Sequence, residues 1–114
     1  KEQVSKILTQ FKSNAQLGMI VPKKYLIEHN NHNMTFNHDS VERIAKQLNI
    51  NFKFDIFPAG SMFWFSPKSL EPLVGIDDSF FDIESGLVDG ETAHAIERLF
   101  CIVARHSNFI VESC

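Results

Sequence analysis

Ile56-Phe57-Pro58-Ala59-Gly60-Ser61-Met62-Phe63-Trp64-Phe65 is the densest apolar and aromatic stretch of the chain. Aromatic and β-branched side chains suit a pleated, half-buried surface, so the central strand or strands of the fold are expected here. Phe52 and Phe54, alternating with polar residues, extend the signal upstream. Pro58-Ala59-Gly60 interrupts it, and a glycine at such a break marks a bulge or a place where another group approaches the backbone. Ser66-Pro67 then reads as a helix start, with serine as cap and proline at the first helical position, leading through Leu70 and Leu73.

Working outward, Asp39 is placed to cap a helix with Glu42 three residues on, and Val41, Ile44, Ala45 and Leu48 form its buried stripe. Glu28 to His38, rich in Asn and His, reads as a long loop. Leu17 to Val21 is a short apolar run stopped by Pro22, consistent with a buried strand. Val4, Ile7, Leu8 and Phe11 follow helical spacing and predict a surface helix from Glu2 to Asn14. Downstream, Asp77 to Asp89 is acidic and irregular. Asp89-Gly90 opens the strongest helical pattern, with Ala93, Ile96, Leu99, Phe100 and Val103 on one face and an end near His106 to Asn108. Asn108 to Glu112 is short enough for a final strand. Helices and strands alternate in the manner of a mixed α/β domain.

The 114 residues, 13.0 kDa, fit one compact unit. Apolar residues make up 44% and charged residues 22%, which suffices for one core and argues against disorder. Eleven Phe stand against one Trp and one Tyr, a bulk-rich composition with few polar handles. A net charge of −3 without a Lys/Arg cluster excludes the electrostatic footprint of a nucleic-acid binder. No apolar run approaches the roughly 20 residues of a spanning helix, so no transmembrane segment is expected. The two cysteines, Cys101 and Cys114, have no metal-type spacing and fit a reducing, cytoplasmic compartment. The opening Lys1-Glu2-Gln3-Val4-Ser5 has neither a starting Met nor a leader and reads as a cut from something longer.

Chemistry-bearing residues concentrate between Phe80 and Arg98. Asp89, at a helix start, is stabilised as a carboxylate by free amides and the macrodipole; on the pattern alone a plain helix cap is the simpler reading. His94, Glu97 and Arg98 lie within one turn of each other and form one polar edge, or else a solvated face with a weak ion pair. Glu84 is a loop acid. His29, His32 and His38 with Glu28 are metal-ligand types, but their spacing matches no zinc pattern and a polar loop is the simpler reading. Asp77-Asp78 and Asp82-x-Glu84 are short acidic pairs of the kind that clamp a diphosphate-bound cation, but such pairs are common and a solvated loop is the simpler reading. No Gly-rich phosphate loop, nucleophile elbow or His-Glu-x-x-His helix is present, which removes the usual markers of kinases and hydrolases.

Phe57-Pro58-Ala59-Gly60-Ser61-Met62-Phe63-Trp64, then Leu70-Glu71-Pro72-Leu73, then Glu84 to Arg98 with Leu99-Phe100, together resemble the rhamnan synthesis protein F family of bacterial cell-surface polysaccharide assembly. The likeness extends more loosely to Leu17-Gly18-Met19-Ile20-Val21-Pro22 and the Asn-rich loop before Val41. Met34-Thr35-Phe36-Asn37 stands where family members carry Trp-Gly-x-Asn. The resemblance implies a three-layer-like mixed α/β fragment, the acceptor-side half of a nucleotide-sugar glycosyltransferase domain. Residues 1–114 would form its carboxyl-side part, inactive alone, with the donor site and its acidic metal motif upstream. The implied reaction moves a sugar from a nucleotide-sugar donor to a glycan acceptor; the alternative is a glycan-binding or assembly module without turnover. Asp89 and Glu84 are the expected catalytic bases. Gly60, Trp64, His94, Glu97 and Arg98 are the expected substrate-binding residues. A divalent cation, Mg or Mn, would serve the full-length enzyme, and none is expected in this segment. The further expectations are a cytoplasmic or inner-membrane-peripheral location and homo-oligomers formed through uncovered apolar faces.

Overall fold

The computed structural model describes residues 2–76 and 92–114. The expected helix α1 spans Glu2–Ser13 and buries Ile7, with Phe11 partly covered. Strand β1, Leu17–Val21, is buried along its whole length. It is the central strand of a three-stranded sheet in which β4, Trp64–Phe65, pairs antiparallel on one side and β5, Ile110–Ser113, pairs parallel on the other. Ile56 to Phe65 therefore does not supply the centre of the sheet, contrary to the sequence expectation. It divides into β3, Ile56–Pro58, a 3-10 turn, Ala59–Ser61, and the edge strand β4. Strand β3 belongs to a separate hairpin with β2, Leu26–Glu28. Proline and a left-handed Gly60 end β3 after three residues, so the apolar run cannot continue as one strand.

The glycine that admits a close neighbour is Gly18 in β1. A Cβ there would lie 2.6 Å from Phe109 Cβ and 2.8 Å from Ser69 Cβ. The Gly18 carbonyl accepts from the Ser66 amide at 2.9 Å and from the Ser69 hydroxyl at 3.1 Å. These bonds fasten the start of the 3-10 helix Pro67–Gly75 to the sheet. The Ser66-Pro67 start is found where expected, although Ser66 caps nothing with its side chain.

The segment read as a loop contains a four-residue helix α2, Asn31–Met34, closed by a capping box in which Asn30 and Asn33 exchange side-chain and backbone bonds. Helix α3, His38–Gln47, starts one residue before Asp39, so Asp39 lies in its first turn and Asn37 occupies the cap position. Val41, Ile44 and Ala45 are buried as expected. Helix α4, Thr92–His106, turns Ala95, Leu99, Cys101, Val103 and Ala104 inward together with Arg98. Ala93 is exposed and Ile96 and Phe100 are partly covered, because α4 packs on β3, α3 and the Pro67–Gly75 helix at once and its buried arc is wider than one stripe.

The layers follow from the alternation of β1. Leu17 and Ile20 face α1 and pack on Ile7, whereas Met19 and Val21 join the main core under α4. A register irregularity between Leu17 and Met19 lets Leu17 and Ile20, three apart, share a face. The result is α1, sheet and α4 in three layers, the mixed α/β architecture anticipated from the element order.

Candidate functional site

The break at Pro58-Ala59-Gly60 is tied to α4. Gly60 adopts φ 76 and Ser61 φ 55, both left-handed. The Gly60 amide donates to Glu97 Oε2 at 2.8 Å, and the Ser61 hydroxyl lies 3.4 Å from the same oxygen. Glu97 Oε1 pairs with the Arg98 guanidinium. A left-handed turn costs a non-glycine residue about 1–2 kcal/mol, and the carboxylate holds the strained segment from outside. At Gly60 the requirement is conformational, not steric, since a Cβ there would meet only Met62 Cγ at 3.9 Å.

Arg98 is the hub beneath the turn. Its side chain is 8% exposed and that of Glu97 17%, so neither belongs to a solvated helix face. The guanidinium lies over the Phe57 ring at 4.5 Å, and Nε donates to the Asn33 carbonyl at 3.3 Å. The backbone carbonyl of Arg98 accepts from His29 Nε2 at 2.8 Å, while His29 Nδ1 accepts from the Asp55 amide at 2.7 Å. An amide can only donate, so His29 is the neutral tautomer with its proton on Nε2. Burial lowers the His29 pKa from its usual 6.5, opposed by its hydrogen bond to Arg98. Phe57 stacks on the imidazole at 5.2 Å and Phe52 meets it edge-on at 5.5 Å. Asp55 returns to α4 through Arg105, whose Nη1 donates to both carboxylate oxygens at 2.7 and 2.8 Å.

Of the residues expected to form a site, Gly60, Glu97 and Arg98 are brought together. His94 lies one turn before Arg98 and is partly buried. Trp64 is held apart. It pairs with Ile20, whose face is covered by α1, while α4 lies on the other face of the sheet. Trp64 is 38% exposed, whereas Phe63 meets Phe65 and Phe100 on the α4 side. Asp89 and Glu84, with the Asp77-Asp78 and Asp82-x-Glu84 pairs, lie outside the described residues.

Both ring nitrogens of His29 are occupied by backbone groups, which removes it from the His29, His32, His38 metal set. Among the described residues, no three His, Cys, Asp or Glu side chains converge to hold a metal ion. Burial pushes the Cys101 thiol up to about 12, which makes it an inert core residue. Among the described residues no helix is long and apolar enough to cross a membrane. Sequence reasoning missed His29 and Asn33 as joints. The Asn30-x-x-Asn33 spacing was a readable capping signal, but nothing local announces that His29 is buried.

The fold and site define a mixed α/β unit whose Pro-Ala-Gly-Ser turn is fixed by an interior acid. The chain belongs to the Rhamnan synthesis protein F family, whose model matches residues 1–109. Two curated relatives, each named "Uncharacterized protein WxcX", come from two strains of Xanthomonas campestris pv. campestris. Each is 28% identical over 110 residues, covering 93% of this chain and 16% of the relative. The chain thus spans about one sixth of the curated relatives it matches. No solved structure matches it significantly.

Proposed function

We propose that this chain is part of a glycosyltransferase of cell-surface polysaccharide synthesis, moving a sugar from a nucleotide-sugar donor to a glycan acceptor. The family membership supports the polysaccharide context. The observation that carries the reading further is the bond between Glu97 and Gly60, which ties a strained, solvent-facing turn to the helix that follows the acid-bearing segment. An inverting transfer needs a carboxylate within reach of the acceptor hydroxyl and stabilisation of the departing diphosphate. Asp89, three residues before α4, is the leading base and Glu84 the second. The turn at Gly60 faces the acceptor, and His94 lies on the same helix to hold the acid or meet phosphate. Glu97 and Arg98 act from beneath, fixing the turn through each other. A divalent cation that neutralises the diphosphate would be held outside the described residues, in the longer protein of which this chain forms the carboxyl-side part of one domain.

A binding module without turnover is the competing reading. It is favoured by the engagement of Glu97 and Arg98 with each other, which leaves both occupied within the fold. Calorimetric titration of the chain and of a longer protein containing it with a nucleotide-sugar separates the two. Heat from the longer protein, with transfer lost in Asp89→Asn or Glu84→Gln, is expected. Absence of donor binding, with transfer unchanged in both variants, would overturn the catalytic reading.

A further inference from the structure

The hairpin of β2 and β3 shares no strand with the main sheet, and two strands of three residues each are marginal by themselves. Four joints tie it to α4: His29 to the Arg98 carbonyl, Phe57 to the Arg98 guanidinium, the Gly60 amide to Glu97, and Asp55 to Arg105. His29 also closes the open end of the hairpin. Its backbone amide donates to the Asp55 carbonyl at 2.8 Å, and the Asp55 amide donates back to Nδ1 at 2.7 Å. One imidazole therefore joins β2, β3 and α4.

This joint tolerates one protonation state. A proton on Nδ1 would point at the Asp55 N–H, placing two donors face to face. His29 is 6% exposed, with Phe57 stacked on its ring and Phe52 edge-on, so water does not solvate a cation where the ring stands. Of the charged groups around it, Arg98 opposes a second cation and Asp55 favours one, but the Asp55 carboxylate is held by Arg105 and that of Glu97 by Arg98. Glu28 at the end of β2 and His32 of α2 are exposed, and His38 of α3 meets the Phe52 and Phe54 rings that His29 also meets. We propose that His29 is an acid-released latch: protonation at Nδ1 detaches β3 and the Gly60 turn from α4 while the main sheet stays folded. In the released form the imidazolium reaches water and titrates near the ordinary 6.5, whereas burial lowers the pKa of the latched form. The ratio of released to latched molecules therefore rises as the pH falls from 6.5 to the latched value, by up to about tenfold per pH unit. The latch requires no catalytic role for the turn and stands apart from the transfer reading.

The test is a pH titration of the ¹⁵N-labelled chain by nuclear magnetic resonance, from about pH 7.5 to about pH 5, reading imidazole nitrogens, amide shifts and hydrogen exchange. At the upper end His29 Nδ1 is expected to give the signal of an unprotonated ring nitrogen. The Gly60 amide shift should then move with the same midpoint as the His29 imidazole, below 6.5, a comparison that needs no variant. Corrected for intrinsic rates, the Asp55 and Gly60 amides should exchange at least about tenfold faster than those of β1, which marks opening of the hairpin alone. His29→Gln, able to bridge the same amide and carbonyl, should abolish the pH response of Gly60, and His94→Gln and His38→Gln should keep it. Protection of Asp55 and Gly60 equal to that of β1 would overturn the proposal, because the segment would then open only with the whole fold. A Gly60 response that follows the midpoint of another group, or persists in His29→Gln, would overturn it as well.

Discussion

At Gly18 the backbone of β1 leaves no room for a methyl group, because both atoms a Cβ would strike are themselves Cβ atoms fixed to backbone. Gly18→Ala is expected to destabilise the chain by about 2 kcal/mol through displacement of Phe109 or of Ser69. Urea unfolding checks this, and a loss below about 0.5 kcal/mol would mean the strand shifts freely. His29 gives a second residue-scale prediction. Its folded pKa lies below the unfolded 6.5, so between those two values the unfolded chain binds more protons. Its stabilising contribution is complete above pH 6.5 and is lost as the pH falls through the folded value. Protonation puts a hydrogen on Nδ1, ends acceptance from the Asp55 amide and sets a cation beside Arg98. His29→Gln, able to bridge the same donor and acceptor without titrating, should flatten the fall in melting temperature on acidification. An unchanged slope would show that His29 does not carry the effect.

Helix α4 carries the interior joints: Glu97 to the turn, Arg98 to α2 and β3, and Arg105 to Asp55. Their strengths differ with burial. The Arg105 and Asp55 side chains are 43% and 34% exposed, and a single guanidinium nitrogen serves both oxygens, so that pair contributes about 1 kcal/mol or less. Glu97→Ala is another matter, since it takes a carboxylate from Arg98, whose side chain is 8% exposed, and the acceptor from the Gly60 amide. A loss of about 3 kcal/mol is expected. Hydrogen exchange at the Gly60 amide should accelerate in Glu97→Ala and stay slower in Glu97→Gln, which keeps an oxygen for that amide. Equal protection of Gly60 in all three proteins would show that the turn holds itself. The spacing of His94, Glu97 and Arg98 was legible as one helical edge. Its burial was not, because a helix pattern places residues on a face without saying what packs against that face.

For the molecule as a whole, the main core lies between the sheet and α4, and the α1 layer is thinner. Helix α1 leaves Val4 and Leu8 exposed, and the sheet face it covers ends in Trp64 and Ile110, which are 38% and 44% exposed. Such a face favours association. Self-association at micromolar concentrations is expected by light scattering, with Leu8→Lys combined with Ile110→Lys shifting the chain toward monomer. A parent chain monomeric throughout would rule this out. The phenylalanine excess resolves by layer. Phe57 is buried against His29 and Arg98, Phe63 meets Phe65 and Phe100 under α4, and Phe36 is 74% exposed.

What the residue order alone determined is local. Strand β1, helix α1 and the Ser66-Pro67 start followed from apolar periodicity and proline chemistry, which act within a few residues. The family likeness was also present in contiguous motifs. Tertiary structure decided which strand is central, since pairing depends on partners far along the chain: β1 meets β5 some ninety residues on. It also decided that Trp64 and Glu97 lie on opposite sides of the sheet, because strand register sets the face of every side chain. The neutral tautomer of His29 was fixed in the same way, by Asp55 and the carbonyl of Arg98, groups that only the packed fold brings to one imidazole.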